Sequence, residues 1–198
     1  MATLRAKPNE ARATRTIQVW VEAIADDPEA LSAFEVARRT LPPALRPKAL
    51  RRMRLIEIAG VTGTSEELRA RLHQSTQFYN PHKERCHLRE AVEEGTPAAE
   101  EERLVLIHER GAERRTAAER WWRHATGDAV RVREALVWLV TPEVEESGDA
   151  LLAELVDVKD RRHGLLCNPN SQDRALGTGA VPLPWIRAAR ARAPRGHA

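Results

Sequence analysis

The order of apolar periods and turn signals in this chain of 198 residues runs twice, and that repetition narrows the possible folds more than any other feature. Residues 16–24, TIQVWVEAI, alternate with Ile17, Val19 and Val21 on one face, the pattern of a strand. Asp27-Pro28-Glu29 supplies an N-cap with proline just inside, and a helical stripe through Leu31, Phe34 and Val36 runs to Leu41-Pro42-Pro43. Residues 51–61 read as a second strand, long enough to hide an extra edge strand. Thr64-Ser65-Glu66-Glu67 opens a helix carrying Leu68 and Leu72, which the chain leaves at Phe78-Tyr79-Asn80-Pro81 because proline restricts the residue before it. A short strand over 86–89 closes the unit.

After a polar, turn-like linker at 93–102 the plan recurs. A strand at 103–110, a helix at 113–124, a strand at 130–140 and a helix at 149–162 lead to Leu165-Leu166-Cys167-Asn168-Pro169. Val105 stands 86 residues after Val19, Gly148 stands 84 after Thr64, and Asn168 stands 88 after Asn80. Each half therefore reads β-α-β-α-β, and the expected fold is α+β: two ferredoxin-like repeats packed as a pseudo-dimer. A unit of about 85 residues has little core of its own, so the halves are expected to bury each other's open faces or edges. The expected organisation is an N-terminal arm at 1–13, repeats at 14–92 and 103–180 about the linker, and an Arg- and Pro-rich tail at 181–198 that falls outside the repeats and is expected to be partly disordered.

Asn80-Pro81 followed by Glu84, and Asn168-Pro169 followed by Asp173, stand at matching places after the second helix of each half. This signature resembles the small subunit of phosphoribosylformylglycinamidine synthase, whose second helix ends in a leucine-rich stretch, a small residue, Asn-Pro and then acids leading into the last strand. In the second half Gln172 stands where an acid is usual. The resemblance covers about nine residues locally and, through element order, about 75 residues of each half. Subunits of that family are non-catalytic, associate through their sheets, and bridge an amidotransferase that supplies ammonia and an ATP-dependent synthetase that consumes it. The resemblance thus implies a non-catalytic bridging or assembly protein with such a protein partner, which would meet Asn80, Pro81, Glu84, Asn168, Pro169 and Asp173.

Other constellations are less developed. His82, Cys86 and His87 are all zinc-capable, but neighbours on a strand point to opposite faces, so Cys86 and His87 do not easily share one metal. A metal or catalytic site between the repeats is the alternative reading. His163 lies four residues before Cys167, with Gly164 and Pro169 breaking the helix between and after them. No Gly-x-x-x-x-Gly-Lys or Gly-x-Gly-x-x-Gly cradle is present, so no cofactor is expected. Trp121 and Trp122 lie about 100° apart on one helix, so one enters the core while the other faces out, and Trp122 is the candidate partner anchor.

A net charge of +3, from 32 basic and 29 acidic residues, is interleaved along the chain as on a solvated surface. The arginines of the tail, Arg187, Arg190, Arg192 and Arg195, are the one feature suited to nucleic acid, without a recognition helix or stacking sheet beside them. Two cysteines make no disulfide framework, and no apolar run or leader appears at the start of the sequence, so a reduced cytoplasmic setting is expected.

Overall fold

A computed structural model describes residues 13–111, 113–157, 165–168, 170–177 and 181–186. Among the described residues six strands form one antiparallel sheet, and four α-helices accompany it. The first half contributes β1 (Arg15–Ala23), α1 (Pro28–Thr40), β2 (Pro47–Val61), α2 (Ser65–His73) and β3 (Glu84–Arg89). The second contributes β4 (Arg103–Glu109), α3 (Thr116–Thr126), β5 (Arg131–Pro142), α4 (Gly148–Val156) and β6 (Gln172–Gly177). The sheet order is β3-β1-β2-β5-β4-β6, so the halves join through β2 and β5 into one continuous sheet.

Local chemistry sets the helix starts. Asp27 accepts hydrogen bonds from the N–H groups of Glu29 and Ala30, and Pro28 occupies the first turn of α1. Thr64 and Glu67 form a reciprocal capping box at α2. The expected extra edge strand is not formed: β2 is a single strand of 15 residues, and the pairing of its first part with the far end of β5 leaves nothing to split off. The helix expected from 113 starts at Thr116, because Arg114 is drawn into a bridge with Arg133 of β5 and the Arg115 N–H donates to the Val132 carbonyl. Residues 158–162 of the expected last helix lie outside the described residues.

The helices exchange sides. Ala30 and Ala37 of α1, with Leu41 just after it, pack with Leu151, Leu152 and Leu155 of α4 over Val105, Ile107 and Trp138, in the second half of the sheet. In return, Ala118 and Trp122 of α3 pack with Leu68 and Leu72 of α2 over Ile17, Val19, Ile56 and Ile58, in the first half. Each half's first helix thus completes the other half's core, a division of labour that suits units too small to bury their own faces.

The opposite face of the sheet is buried as well. Trp20, Met53, Leu55, Leu104, Leu106, Val137 and Leu139 form a third apolar cluster there, closed by Val181, Trp185 and Ile186. Residues 181–186, the first part of the tail expected beyond the repeats, cross the sheet as a strap, because a face this apolar cannot be left to water.

Candidate functional site

The matched turns keep the same geometry in both halves. The Asn80 side chain accepts from the His82 N–H at 3.0 Å, the Asn80 N–H donates to Glu84 Oε2 at 2.6 Å, and the Asn80 carbonyl accepts from the Glu84 N–H at 2.7 Å. In the second half the Asn168 side chain accepts from the Asn170 N–H at 3.0 Å, the Asn168 N–H donates to Gln172 Oε1 at 2.8 Å, and its carbonyl accepts from the Gln172 N–H at 2.8 Å. The residue equivalent to Glu84 is therefore Gln172, whose neutral amide oxygen does the same work, and not Asp173, which instead accepts from Arg110 Nε at 2.8 Å. The constant spacing of 88 residues between Asn80 and Asn168 and between Glu84 and Gln172 is the signal that finds it. Pro169 lies outside the described residues.

Asparagine holds this turn by taking a backbone N–H two residues on, which an alanine cannot do. Asn80→Ala and Asn168→Ala are each expected to cost about 1 kcal/mol, the usual net worth of one such bond, and by similar amounts. Urea unfolding of the two variants checks this; a loss at one turn and none at the other would mean that the shared geometry is not shared energetics.

The remaining sequence candidates are not brought together. Cys86 pairs with Val21 and packs against the helix-side core, His87 pairs with Trp20 on the other side of β3, and His82 stays in the turn. Among the described residues no group of three or more His, Cys, Asp or Glu side chains is arranged around a possible metal position. Burial pushes the Cys86 thiol up to about 11 and raises that of Cys167, so neither is a thiolate near neutral pH. His163 lies outside the described residues. Trp122 is fully buried among Phe78, Leu68 and Ala118, which overturns its reading as a partner anchor; the half-exposed indole is Trp121.

Sequence reasoning missed a polar rung beneath the strap. Gln18 of β1 stands between Glu57 of β2 and Arg89 of β3 in the ladder, and all three are buried. Gln18 Nε2 donates to Glu57 Oε1 at 2.9 Å and to the Pro182 carbonyl at 2.9 Å, while its Oε1 accepts from Arg89 Nη1 at 2.7 Å. Arg89 also donates to the carbonyls of Val92, Glu94 and Val181 at 2.7–2.8 Å. Glu57 accepts from the N–H groups of Trp185 and Ile186. Burial raises the Glu57 pKa above the ordinary carboxylate range, and the same desolvation lowers that of Arg89.

The two halves are in one register, since Val19 faces Ile56 and Val105 faces Trp138. The rung matching Arg89–Gln18–Glu57 is then Gly177–Leu104–Leu139, which is apolar, and Gly177 leaves the space that the Trp185 ring fills 3.2 Å from where a Cβ would lie. The polar rung is thus a departure from the apolar solution that the same ladder uses elsewhere.

Beside the strap opens a pocket of about 600 Å³. Arg131 and Arg133 of β5 and Arg123 at the end of α3 line it with Arg114 and Thr16, and Glu57 lies at its floor. Gly60, at φ +92°, lets the loop after α3 lie on β2: a Cβ there would stand 3.1 Å from the Ala129 carbonyl oxygen. Arg114 is held by Glu119 at 2.7 Å. The guanidiniums of Arg123, Arg131 and Arg133 have no carboxylate within ion-pair distance among the described residues.

Comparison with models of known protein families, with curated proteins and with solved structures returns no match. Among the described residues, no helix is long and apolar enough to cross a membrane.

Proposed function

We propose that the chain is a non-catalytic bridging or assembly protein of the cytoplasm, built as a fused pair of ferredoxin-like units in the manner of the small subunit of phosphoribosylformylglycinamidine synthase. The observation that carries this reading is the placement of the two matched turns. β3 and β6 are the two outer strands of the sheet, and each is entered through one of these turns with the same hydrogen bonds. One molecule therefore presents two like edges at opposite ends of a sheet, the arrangement a bridge between two proteins needs. The Asn side chains are spent inside the turns, so a partner meets the outer turn surface and the free strand rather than the amides. An amidotransferase or an ATP-dependent synthetase is the partner that the resemblance implies.

Affinity purification of the tagged protein from its own cells, with mass spectrometry and light scattering on the same sample, tests the reading. Stoichiometric recovery of an amidotransferase or a synthetase, lost when β3 is blocked by Cys86→Pro or β6 by Arg174→Pro, the positions whose N–H groups point away from β1 and β4, is the expected result. A protein that stays alone at high concentration overturns it. The alternative through the tail concerns residues 187–198, outside the described residues.

A further inference from the structure

The matching of the two halves shows what is unusual about the arginine pocket. Arg133 stands five residues before Trp138, as Arg51 stands five before Ile56, so the two arginines occupy equivalent places on the same side of the sheet. Arg51 is fully engaged: Glu102 takes its Nε at 2.6 Å and its Nη2 at 2.8 Å, Glu22 lies at 3.2 Å, and the Pro97 carbonyl accepts from it at 2.9 Å. The linker brings Glu102 and Pro97 over that position. Over Arg133 no such segment lies among the described residues, and the place is an open pocket. Elsewhere on the sheet the same economy holds, for Arg15, Arg52 and Arg54 are each paired with a carboxylate at 2.7–2.8 Å.

Arg123, Arg131 and Arg133 therefore line one pocket without a direct ion pair among the described residues: Glu57 faces Arg133 across the β2–β5 ladder and Glu119 acts on Arg131, both from beyond contact distance, and Arg114 adds a fourth guanidinium to the wall. The one carboxylate of the lining, Glu57, has its oxygens taken by Gln18 and by two strap N–H groups. Guanidiniums gathered in one concave pocket repel one another, and an anion that fills the pocket relieves that repulsion. Arginine forks suit phosphate oxygens, which they bind in pairs, and several forks suit an anion with more than one charged centre. The remaining lining is small or aliphatic, with no aromatic ring on which a base could stack. We propose that this pocket binds a compact oligophosphate, a pyrophosphate-bearing small molecule recognised by Arg123, Arg131 and Arg133.

Isothermal titration of the full chain with inorganic pyrophosphate at low ionic strength tests this, with citrate and a single-stranded oligonucleotide as competitors. Saturable binding of one pyrophosphate per chain is expected, weakened at least tenfold by Arg131→Gln and by Arg133→Gln and unchanged by Arg85→Gln on the far edge. Arg131 is exposed, so its variant keeps the fold, and an unchanged urea midpoint verifies that. Lack of binding at millimolar pyrophosphate, equal weakening by Arg85→Gln, or an oligonucleotide that binds without being displaced by pyrophosphate overturns the proposal, the last in favour of a polynucleotide.

Discussion

Replacing Arg89 with methionine is expected to cost about 3–5 kcal/mol, the range seen when one partner of a buried charged network is removed. The methionine fills much of the same space, so the loss is not chiefly a cavity. It is the stranding of four acceptors that the guanidinium now satisfies: Gln18 Oε1 and the carbonyls of Val92, Glu94 and Val181. Each buried acceptor left without a donor costs about 1–3 kcal/mol, less whatever water recovers by entering beside the strap. Glu57 also loses the positive charge that helps to hold it in place, although its bonds to Trp185 and Ile186 persist. Urea unfolding gives the magnitude, and limited proteolysis near residue 181 shows where it is felt, because the strap is the segment these bonds hold. A loss below 1 kcal/mol with an unchanged cleavage pattern would mean that the apolar contacts of Trp185 and Ile186 fasten the strap by themselves. Gln18→Leu offers an internal comparison: leucine is what the second half carries at Leu104, yet here it would strand both Arg89 and Glu57, so a substitution toward the apolar solution is expected to destabilise.

That contrast shows where the sequence was readable and where it stopped. The alternation of Ile17, Val19 and Val21 marks one face of β1 as buried, and the structure buries all three. The same alternation leaves Gln18 and Trp20 on the other side, where pattern alone predicts solvent, yet both are fully buried. Nothing in TIQVWV distinguishes a strand covered on one face from one covered on both; the cover comes from residues 181–186, more than 160 positions away, whose two prolines and the arginines that follow them read locally as a tail. Caps and turns were legible because their partners are within four residues, as at Asp27, Thr64, Asn80 and Asn168. The exchange of α1 and α3 between halves was not, since the apolar stripe of a helix says that it packs but not on which part of a sheet. The arginine pocket draws on positions from Thr16 to Arg133 and Pro184, and in a chain this rich in arginine no local spacing picks them out. Trp121 and Trp122 pose the same difficulty at the smallest scale: helical geometry separates them, and only tertiary packing decides which one is inside.

Trp122→Ala is accordingly expected to cost about 3–5 kcal/mol, against about 1 kcal/mol for Trp121→Ala. Trp122 is fully buried and meets the Phe78 ring edge-on at a centroid distance of 5.6 Å, in the cluster that also holds Ile17, Val19, Leu68 and Val132. Removing it opens a void of most of an indole in a site whose walls belong to four strands and two helices, which leaves little freedom to collapse. Its Nε1 has no hydrogen-bond partner among the described residues, so part of the gain from burying the ring is already offset, and this holds the expected loss inside the usual range. Trp121 touches the same Phe78, also at 5.6 Å, but is half-exposed, so water replaces part of what an alanine gives up. The pattern of the loss is as informative as its size. Trp122 belongs to the second half by sequence and to the first half's core by packing, so its removal is expected to lower the stability of the whole sheet in a single cooperative urea transition. Two transitions, of which only one moves, would show that the halves fold separately and that the exchanged helices do not bind them into one unit.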